Sequence, residues 1–137
     1  FIAPGQQARE NLVKIKLSAI SEVVSGKSIV LVDDSIVRGT TSKKLVKLLR
    51  EAGAKEIHMR ISSPPFIDLC YYGTDIDSRE NLIACKHTVE ETAKIIGVDS
   101  LGYLGVDCLD KLTPGGKCKG YCKGCFTSVY HIGIFQL

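Results

Sequence analysis

The stretch Ile29-Val30-Leu31-Val32-Asp33-Asp34-Ser35-Ile36-Val37-Arg38-Gly39-Thr40-Thr41 decides the fold of this 137-residue chain. It opens with four aliphatic residues in a row, which is typical of a strand covered on both faces of a parallel sheet. Two aspartates end the run, and Thr40-Thr41-Ser42 then offers hydroxyl side chains suited to capping a helix. We therefore predict a strand over Ser28–Val32, followed by a loop and by a helix that ends at Gly53.

The residues after this loop predict a strand–helix–strand unit. One face of the predicted helix carries Leu45, Val46, Leu48, Leu49 and Ala52. Lys55–Ser62 then alternates, with Ile57, Met59 and Ile61 on one side, which predicts a second strand. This order of elements predicts an α/β fold with a parallel sheet. The weaker predictions are helices at Gln7–Val13, Ser18–Ser25, Ser78–Ala84 and Thr88–Ile96 and a strand at Ser100–Leu104.

Composition limits the classes of function that the chain can serve. The net charge is only +3, from 18 basic and 15 acidic residues, so no general attraction to nucleic acid or to a membrane follows. No run approaches the roughly 18 apolar residues of a membrane helix. The opening residues lack the basic and apolar regions of a signal peptide, so we expect a cytoplasmic protein. Since the chain begins with Phe1 rather than Met, we also expect it to be part of a longer polypeptide.

The loop after the first strand combines two kinds of ligand group. Asp33 and Asp34 stand at the carboxyl end of the strand, where open parallel sheets bind ligands, and adjacent carboxylates there suit sugar hydroxyls or Mg²⁺. Gly39-Thr40-Thr41 stands at a helix start, where free N–H groups and the helix dipole favour a phosphate. A sugar phosphate fits between the two ends. An ordinary turn with solvated aspartates and capping threonines explains the same residues equally well.

The complete string resembles the signature of type I phosphoribosyltransferases, and its interior Ser35-Ile36-Val37-Arg38 is closest to that of the glutamine phosphoribosylpyrophosphate amidotransferases. The strings that continue this resemblance are Phe1–Arg9, Lys14–Leu17, Ile61–Pro65, Cys70–Asp75, Leu82–Ala84 and Val89–Glu91. Three residues depart from the family pattern. Leu12 and Ser128 stand where glycine is usual and His131 where proline is common, which affects the hinge of the first segment and the path of the last.

The resemblance implies a role for each residue of the loop. Asp33 and Asp34 would hold the ribose hydroxyls and the Mg²⁺–pyrophosphate of phosphoribosyl pyrophosphate. The residues that would enclose its 5′-phosphate through backbone amides and hydroxyls are Ser35, Ile36, Val37, Arg38, Gly39, Thr40 and Thr41. An alternative for the Arg38 side chain is contact with solvent or with a neighbouring subunit.

Six cysteines stand at positions 70, 85, 108, 118, 122 and 125. Disulfides need a secreted context, which the sequence does not indicate. Cys118-x3-Cys122-x2-Cys125 leaves free thiols, zinc and an iron–sulfur cluster open on spacing alone. The family resemblance implies a [4Fe–4S] cluster held by Cys70, Cys122 and Cys125, with a fourth ligand upstream of this chain. Cys85 and Cys108 are predicted to pack as small apolar residues.

The resemblance further implies the organisation of the whole protein. Residues 1–112 would be part of a type I phosphoribosyltransferase fold, and residues 113–137 a tail rich in Cys, Gly and Lys that carries cluster ligands. A separate N-terminal glutaminase domain would supply ammonia, the assembly would be a homo-oligomer, and this part alone would be inactive. Three alternatives remain: a phosphoribosyltransferase acting on a nucleobase, a non-catalytic sensor of the sugar phosphate, and a zinc-binding interaction domain.

Overall fold

A parallel three-stranded sheet is the centre of the computed structural model, which describes residues 21–74, 76, 78–112 and 121–130. The strands β1 (Ser28–Asp33), β2 (Glu56–Ile61) and β3 (Ser100–Tyr103) lie side by side in that order. Ile29 pairs with Ile57, and Met59 pairs with Leu101. The predicted parallel α/β architecture is therefore confirmed, and each predicted strand agrees with the observed one to within one residue at either end.

Helices connect the strands and follow the sheet. Helix α1 (Ser21–Val24) precedes β1, α2 (Thr40–Glu51) joins β1 to β2, α3 (Val89–Ile96) leads into β3, and α4 (Gly124–Thr127) lies in the tail. Short 3₁₀ turns occupy Arg79–Asn81, Ile83–Cys85 and Val106–Leu112. The predicted helix Gln7–Val13 lies outside the described residues, as does the first part of Ser18–Ser25.

The predicted helix over Ser78–Ala84 is wrong, because the segment forms two separate 3₁₀ turns. The Ser78 hydroxyl accepts a hydrogen bond from the N–H of Glu80 at 3.2 Å, and this starts the first turn. Leu82 then adopts an extended conformation, with φ −82° and ψ 118°, and its side chain is fully buried. Burial of Leu82 between the turns therefore outweighs the helical pattern of the sequence.

The main core lies between one face of the sheet and helices α2 and α3. Ile57, Met59 and Ile61 point to this face from β2 and are at most 3% exposed. Val46 on α2 and Ile96 on α3, each 2% exposed, belong to the same cluster. The alternation of β2 and the helical spacing of α2 predicted these contacts from the sequence.

The opposite face of β1 is open, so the prediction that this strand is covered on both sides is wrong within the described residues. Val30 and Val32 are 66% and 68% exposed, and β1 is an outer strand of the described sheet. The open face continues onto β2 and β3 as a polar network, in which His58 Nδ1 lies 2.9 Å from the Ser100 hydroxyl. A run of aliphatic residues indicates that both faces of a strand favour burial, but it does not show what covers them. The described part of the chain covers one face only.

Helix α3 begins and ends as its sequence predicts. The Thr88 hydroxyl accepts from the N–H of Glu91 at 3.2 Å, and the Glu91 carboxylate accepts from the N–H of Thr88 at 2.8 Å. These reciprocal bonds form a capping box, which is typically worth about 1 kcal/mol. Gly97 ends the helix in the left-handed conformation at φ 93°. Both ends of the helix are therefore defined, and the chain enters β3 in a fixed direction.

Asp99 joins the end of α3 to both α2 and β2. Its Oδ2 accepts from the N–H of Ile57 and from the Arg50 guanidinium, each at 2.6 Å, and these two bonds hold the pKa of Asp99 below its usual range. A carboxylate with a depressed folded-state pKa contributes stability above its unfolded-state pKa, and this contribution is lost as the pH falls through the folded-state pKa.

We therefore expect Asp99→Asn to flatten the decline of stability on the acid side. Urea unfolding measured from neutral pH to below pH 4 tests this, because the wild type should lose stability over that range more steeply than the variant. Asp107→Asn, at an exposed position in the 3₁₀ turn before the tail, is the matched control. Parallel pH profiles for Asp99→Asn and the wild type would contradict the assignment.

Candidate functional site

The Asp33–Thr41 loop begins at the carboxyl end of β1, where hydrogen bonds hold its two aspartates. The carbonyl oxygen of Asp33 accepts from the N–H of Ser62 at 3.0 Å, which extends the pairing of β1 with β2. Asp33 Oδ1 accepts from the N–H of Asp34 at 3.0 Å, and Asp34 Oδ1 accepts from the Ser35 hydroxyl at 2.9 Å. Each carboxylate keeps lone pairs for a further ligand, since it uses only part of its accepting capacity.

The middle of the loop is anchored through side chains that point inward. Ile36 is 2% exposed and belongs to the main core with Ile83 and Ile96. Val37 packs against a second core cluster, and its carbonyl oxygen accepts from the N–H of Ile83 at 2.9 Å. The Ile36 side chain is therefore unable to contact a ligand, and any role of this residue in binding must come from its backbone.

Gly39 is required at the end of the loop for two reasons. Its φ of 76° is in the left-handed region, which favours glycine. A Cβ atom built at Gly39 would lie 2.8 Å from Cδ1 of Ile83, closer than real Cβ contacts. Both the left-handed φ and the close approach of Ile83 therefore favour glycine where the loop turns into helix α2.

The predicted capping by threonine is wrong in detail. Gly39 occupies the N-cap position without a side-chain capping bond, and Thr40 and Thr41 form the first residues of α2 with exposed side chains. The first N–H groups of a helix have no partners within the helix, so these stay available to an anion. Two exposed hydroxyls stand beside them.

Arg38 is exposed and lines an open depression of about 350 Å³ beside the loop. Thr40, Asn81, Lys86 and His87 contribute to the same depression. The loop thus presents carboxylates at one end, helix N–H groups at the other and a cationic flank. This arrangement suits a ligand with hydroxyl groups, a phosphate and further negative charge.

The predicted cysteine ligands lie on two segments that pack together. Cys70 follows β2 at the end of an extended segment, while Cys122 precedes helix α4 and Cys125 lies within it. The carbonyl oxygen of Cys125 accepts from the N–H groups of Ile67 at 2.9 Å and Asp68 at 3.1 Å. Cys118 lies outside the described residues, as do Leu12, Asp75 and His131.

The pKa values of Cys70 and Cys125 are both shifted by the groups around them. Hydrogen bonds to the Cys70 sulfur from the Thr74 side chain and from the N–H groups of Tyr72 and Thr74 lower the pKa of Cys70. Burial raises the pKa of Cys125, and the charges of Cys70 and Cys122 raise it further. In the described ranges, however, no three Cys, His, Asp or Glu side chains lie close enough to hold one ion. Electrostatic effects extend beyond coordination distance, so the thiols are neighbours without forming a closed site.

The remaining described cysteines correct the sequence-based prediction. Cys85 is exposed, and its thiol donates to the carbonyl oxygen of Ile67 at 3.2 Å, while Cys108 is half-buried. Neither packs as a fully buried apolar residue. The reason at Cys85 is its position at the end of a 3₁₀ turn, where the backbone carbonyl is the nearest partner.

Comparisons with known proteins agree with the geometry of the loop. The family model described as the phosphoribosyl transferase domain matches residues 3–62. An amidophosphoribosyltransferase of Archaeoglobus fulgidus is 51% identical over 135 residues, and the match covers 98% of this chain but 30% of that protein. The corresponding enzyme of Bacillus subtilis is 50% identical, with 99% of this chain and 29% of the enzyme covered.

A chloroplastic amidophosphoribosyltransferase of Arabidopsis thaliana is 54% identical over 96% of this chain and 23% of its own length. The solved structure of the B. subtilis glutamine phosphoribosylpyrophosphate amidotransferase, complexed with ADP and GMP, has a TM-score of 0.74 at 44% identity. The match covers 99% of this chain and 30% of that structure. The chain thus spans less than a third of the length of these relatives. No helix in the described part is long and apolar enough to cross a membrane.

Sequence reasoning missed two contacts beside the cysteines and one on the sheet. The Tyr130 phenol donates to the carbonyl oxygen of Leu69, and the Tyr130 ring packs on Gly124. On the sheet, His58 Nε2 lies 3.5 Å from a carboxylate oxygen of Glu56. The two-residue spacing on one strand could have predicted the second pair, since residues i and i+2 share a face.

Proposed function

We propose that the chain is a C-terminal part of an amidophosphoribosyltransferase, the enzyme named for the relatives that it matches at about 50% identity, and that it supplies the phosphoribosyl-pyrophosphate-binding part of such an enzyme. One observation carries the proposal. The loop after β1 has two carboxylates with free accepting capacity at one end and the first N–H groups of helix α2 at the other. Side chains of the loop itself anchor it to the core. A ligand with ribose hydroxyls at one end and a 5′-phosphate at the other fits this distribution of acceptors and donors.

The proposed reaction transfers a phosphoribosyl group to ammonia. Ammonia released from glutamine attacks C1 of the ribose, the bond from C1 to the pyrophosphate oxygen breaks, and 5-phosphoribosylamine forms as the first step of purine synthesis. Asp33 and Asp34 accept hydrogen bonds from the ribose hydroxyls and hold the Mg²⁺ that accompanies the pyrophosphate. The Mg²⁺ would neutralise charge on the leaving group.

The loop residues contribute by positioning. The backbone N–H groups from Ser35 to Thr41 and the two threonine hydroxyls hold the 5′-phosphate, so the ribose has one orientation relative to the incoming ammonia. Arg38 lies on the exposed flank, where its charge favours an anionic substrate. This part of the enzyme would therefore contribute to catalysis by orienting the substrate and by stabilising the charge on the departing pyrophosphate.

The rest of the enzyme lies outside the region that this chain spans. We propose that a glutaminase domain supplies the ammonia, that the enzyme is a cytoplasmic homo-oligomer, and that this chain alone is inactive. The test of the function is loss of the phosphoribosylamine product when Asp33 and Asp34 are replaced in the longer polypeptide. Normal product formation by that variant would overturn the assignment.

We also propose that Cys70, Cys122 and Cys125 are ligands of a [4Fe–4S] cluster, with a fourth ligand from outside this chain. The donor set supports the proposal: the charges of Cys70 and Cys122 both act on the Cys125 thiol, and the Cys70 sulfur accepts from the N–H groups of Tyr72 at 3.5 Å and Thr74 at 3.4 Å. Such bonds stabilise a thiolate and are a usual feature around cluster sulfurs. The cluster would have a structural role, because the transfer reaction moves no electrons.

We expect the longer polypeptide, purified without oxygen, to contain iron and acid-labile sulfide and to absorb broadly in the visible range. Cys70→Ser should remove most of this absorption, because it deletes one of the proposed ligands. Cys85→Ser is the matched control, since the Cys85 thiol is engaged with a backbone carbonyl. Protein with zinc or no metal at all would contradict the cluster.

A further inference from the structure

Two segments, which carry the proposed ligands Cys70 and Cys125, are joined by contacts that need no metal. The first segment runs from Phe66 to Tyr72 and the second from Gly124 to Tyr130. Besides the backbone bonds to the Cys125 carbonyl oxygen, the rings of Phe66 and Phe126 meet at 4.8 Å between centroids. The protein itself therefore brings the two segments together.

Tyr130 contacts the first segment on both sides of Cys70. Its phenol donates to the carbonyl oxygen of Leu69, the residue before Cys70. Its ring meets the ring of Tyr71, the residue after Cys70, edge to face at 4.8 Å between centroids.

The same ring lies on the residue before Cys125. A Cβ atom built at Gly124 would overlap Cε1 of Tyr130, so any larger residue would push the ring away. Gly124 has no positive φ, and its requirement for glycine is therefore a matter of space alone. One side chain thus touches the residues adjacent to Cys70 and to Cys125.

A purely structural role explains these contacts less well. The ring contacts of Tyr130 are with Tyr71, Tyr72 and Gly124, and it is absent from both hydrophobic core clusters of the described residues. Removing its hydroxyl should therefore leave the sheet and its core unchanged. What the hydroxyl does fix is the position of the Leu69–Cys70 backbone relative to Gly124–Cys125.

We infer that Tyr130, seated on Gly124 and bonded to the Leu69 carbonyl, is the positioning residue that holds Cys70 and Cys125 in register for a shared thiophilic metal group. This rests on the proposed cysteine site, but not on the identity of the group bound there. Tyr130 thereby keeps the two segments aligned when such a group binds.

Cadmium titration of the metal-free longer polypeptide tests the inference through the thiolate-to-metal absorption band. We expect Tyr130→Phe to weaken cadmium binding by about 10-fold or more, in the range found when groups that orient metal ligands are removed. Gly124→Ala should weaken it further, because it displaces the whole ring. Tyr121→Phe, at an exposed tyrosine in the same tail, is the matched control and should bind cadmium as the wild type does.

Thermal unfolding of the same variants separates positioning from general stability. Tyr130→Phe should lose cadmium affinity with little change in melting temperature. If Gly124→Ala fails to fold, the cadmium affinity of Tyr130→Phe alone tests the positioning role. Unchanged cadmium affinity in Tyr130→Phe, or an equal loss in Tyr121→Phe, would overturn the inference.

Iron content of the longer polypeptide gives a second readout that separates the two proposals. Iron in the wild type and a marked loss in Tyr130→Phe supports both the cluster and the positioning role. If the wild type holds no iron while Tyr130→Phe still weakens cadmium binding, the cluster proposal fails and the positioning role stands. If the wild type and Tyr130→Phe hold equal amounts of iron and of cadmium, the positioning role fails.

Discussion

Replacing Asp33 and Asp34 by asparagine in the longer polypeptide is expected to abolish formation of phosphoribosylamine while glutamine hydrolysis continues. Asparagine keeps the shape of each side chain and an oxygen that can accept from the N–H of Asp34 and from the Ser35 hydroxyl. The loop should therefore keep its conformation. What is lost is negative charge at the point where we propose that Mg²⁺ and the ribose hydroxyls bind.

The expected loss of transfer rate is about 100-fold or more, by analogy with removal of one electrostatic contact at a reacting centre. An assay with ammonia in place of glutamine measures the transfer step directly, and glutamine hydrolysis in the same preparation is the internal control. Asp107→Asn controls for loss of a surface charge elsewhere. The assignment fails if the double variant forms product at the wild-type rate in the ammonia assay.

Replacing Gly39 by alanine is expected to have the largest effect on stability among single substitutions in the loop. Alanine at this position would have to adopt the left-handed conformation, which costs a residue other than glycine about 1–2 kcal/mol. It would also meet Cδ1 of Ile83 at 2.8 Å, and overpacking of a core typically costs a further 1–3 kcal/mol or so. We expect a total loss of about 2–5 kcal/mol, together with weaker binding of the sugar phosphate, because the loop must move.

Gly26 offers a matched control for this substitution. Its φ of 72° is nearly that of Gly39, yet no atom lies within 4 Å of a Cβ built there. Gly26→Ala should therefore show the conformational cost alone, about 1–2 kcal/mol. Urea unfolding of both variants measures the difference. Equal losses in the two variants would show that contact with Ile83 contributes nothing, and the account of Gly39 would be wrong.

The sequence predicted those elements that depend on the local pattern of residues. Alternation identified β2 and its buried face, and the glycine after α2 identified the end of that helix. The carboxylates and the glycine of the Asp33–Thr41 loop were identified for the same reason, since turn chemistry is local. Family resemblance then narrowed the chemistry, which physical reasoning alone had left open between a sugar-phosphate site and an ordinary turn.

Features that depend on distant parts of the chain could not be predicted. Leu69 and Tyr130 are 61 residues apart in sequence, and no periodicity connects them. The open face of β1 is a second case, because four aliphatic residues predict burial whether or not the chain supplies the covering layer. Threonine capping at α2 failed for a local reason: Gly39, which the core requires at the preceding position, already occupies the N-cap.

The anchoring of the Asp33–Thr41 loop has a thermodynamic consequence. Its backbone is tied to β2 through Ser62 and to the 3₁₀ turns through Ile83, and the Ile36 side chain lies in the core. The conformational entropy of this loop was therefore given up when the chain folded, and little remains to be lost when an anion arrives. Binding of the proposed ligand at this loop would therefore cost chiefly the freedom of the ligand itself, and selectivity would depend on its fit to a fixed shape.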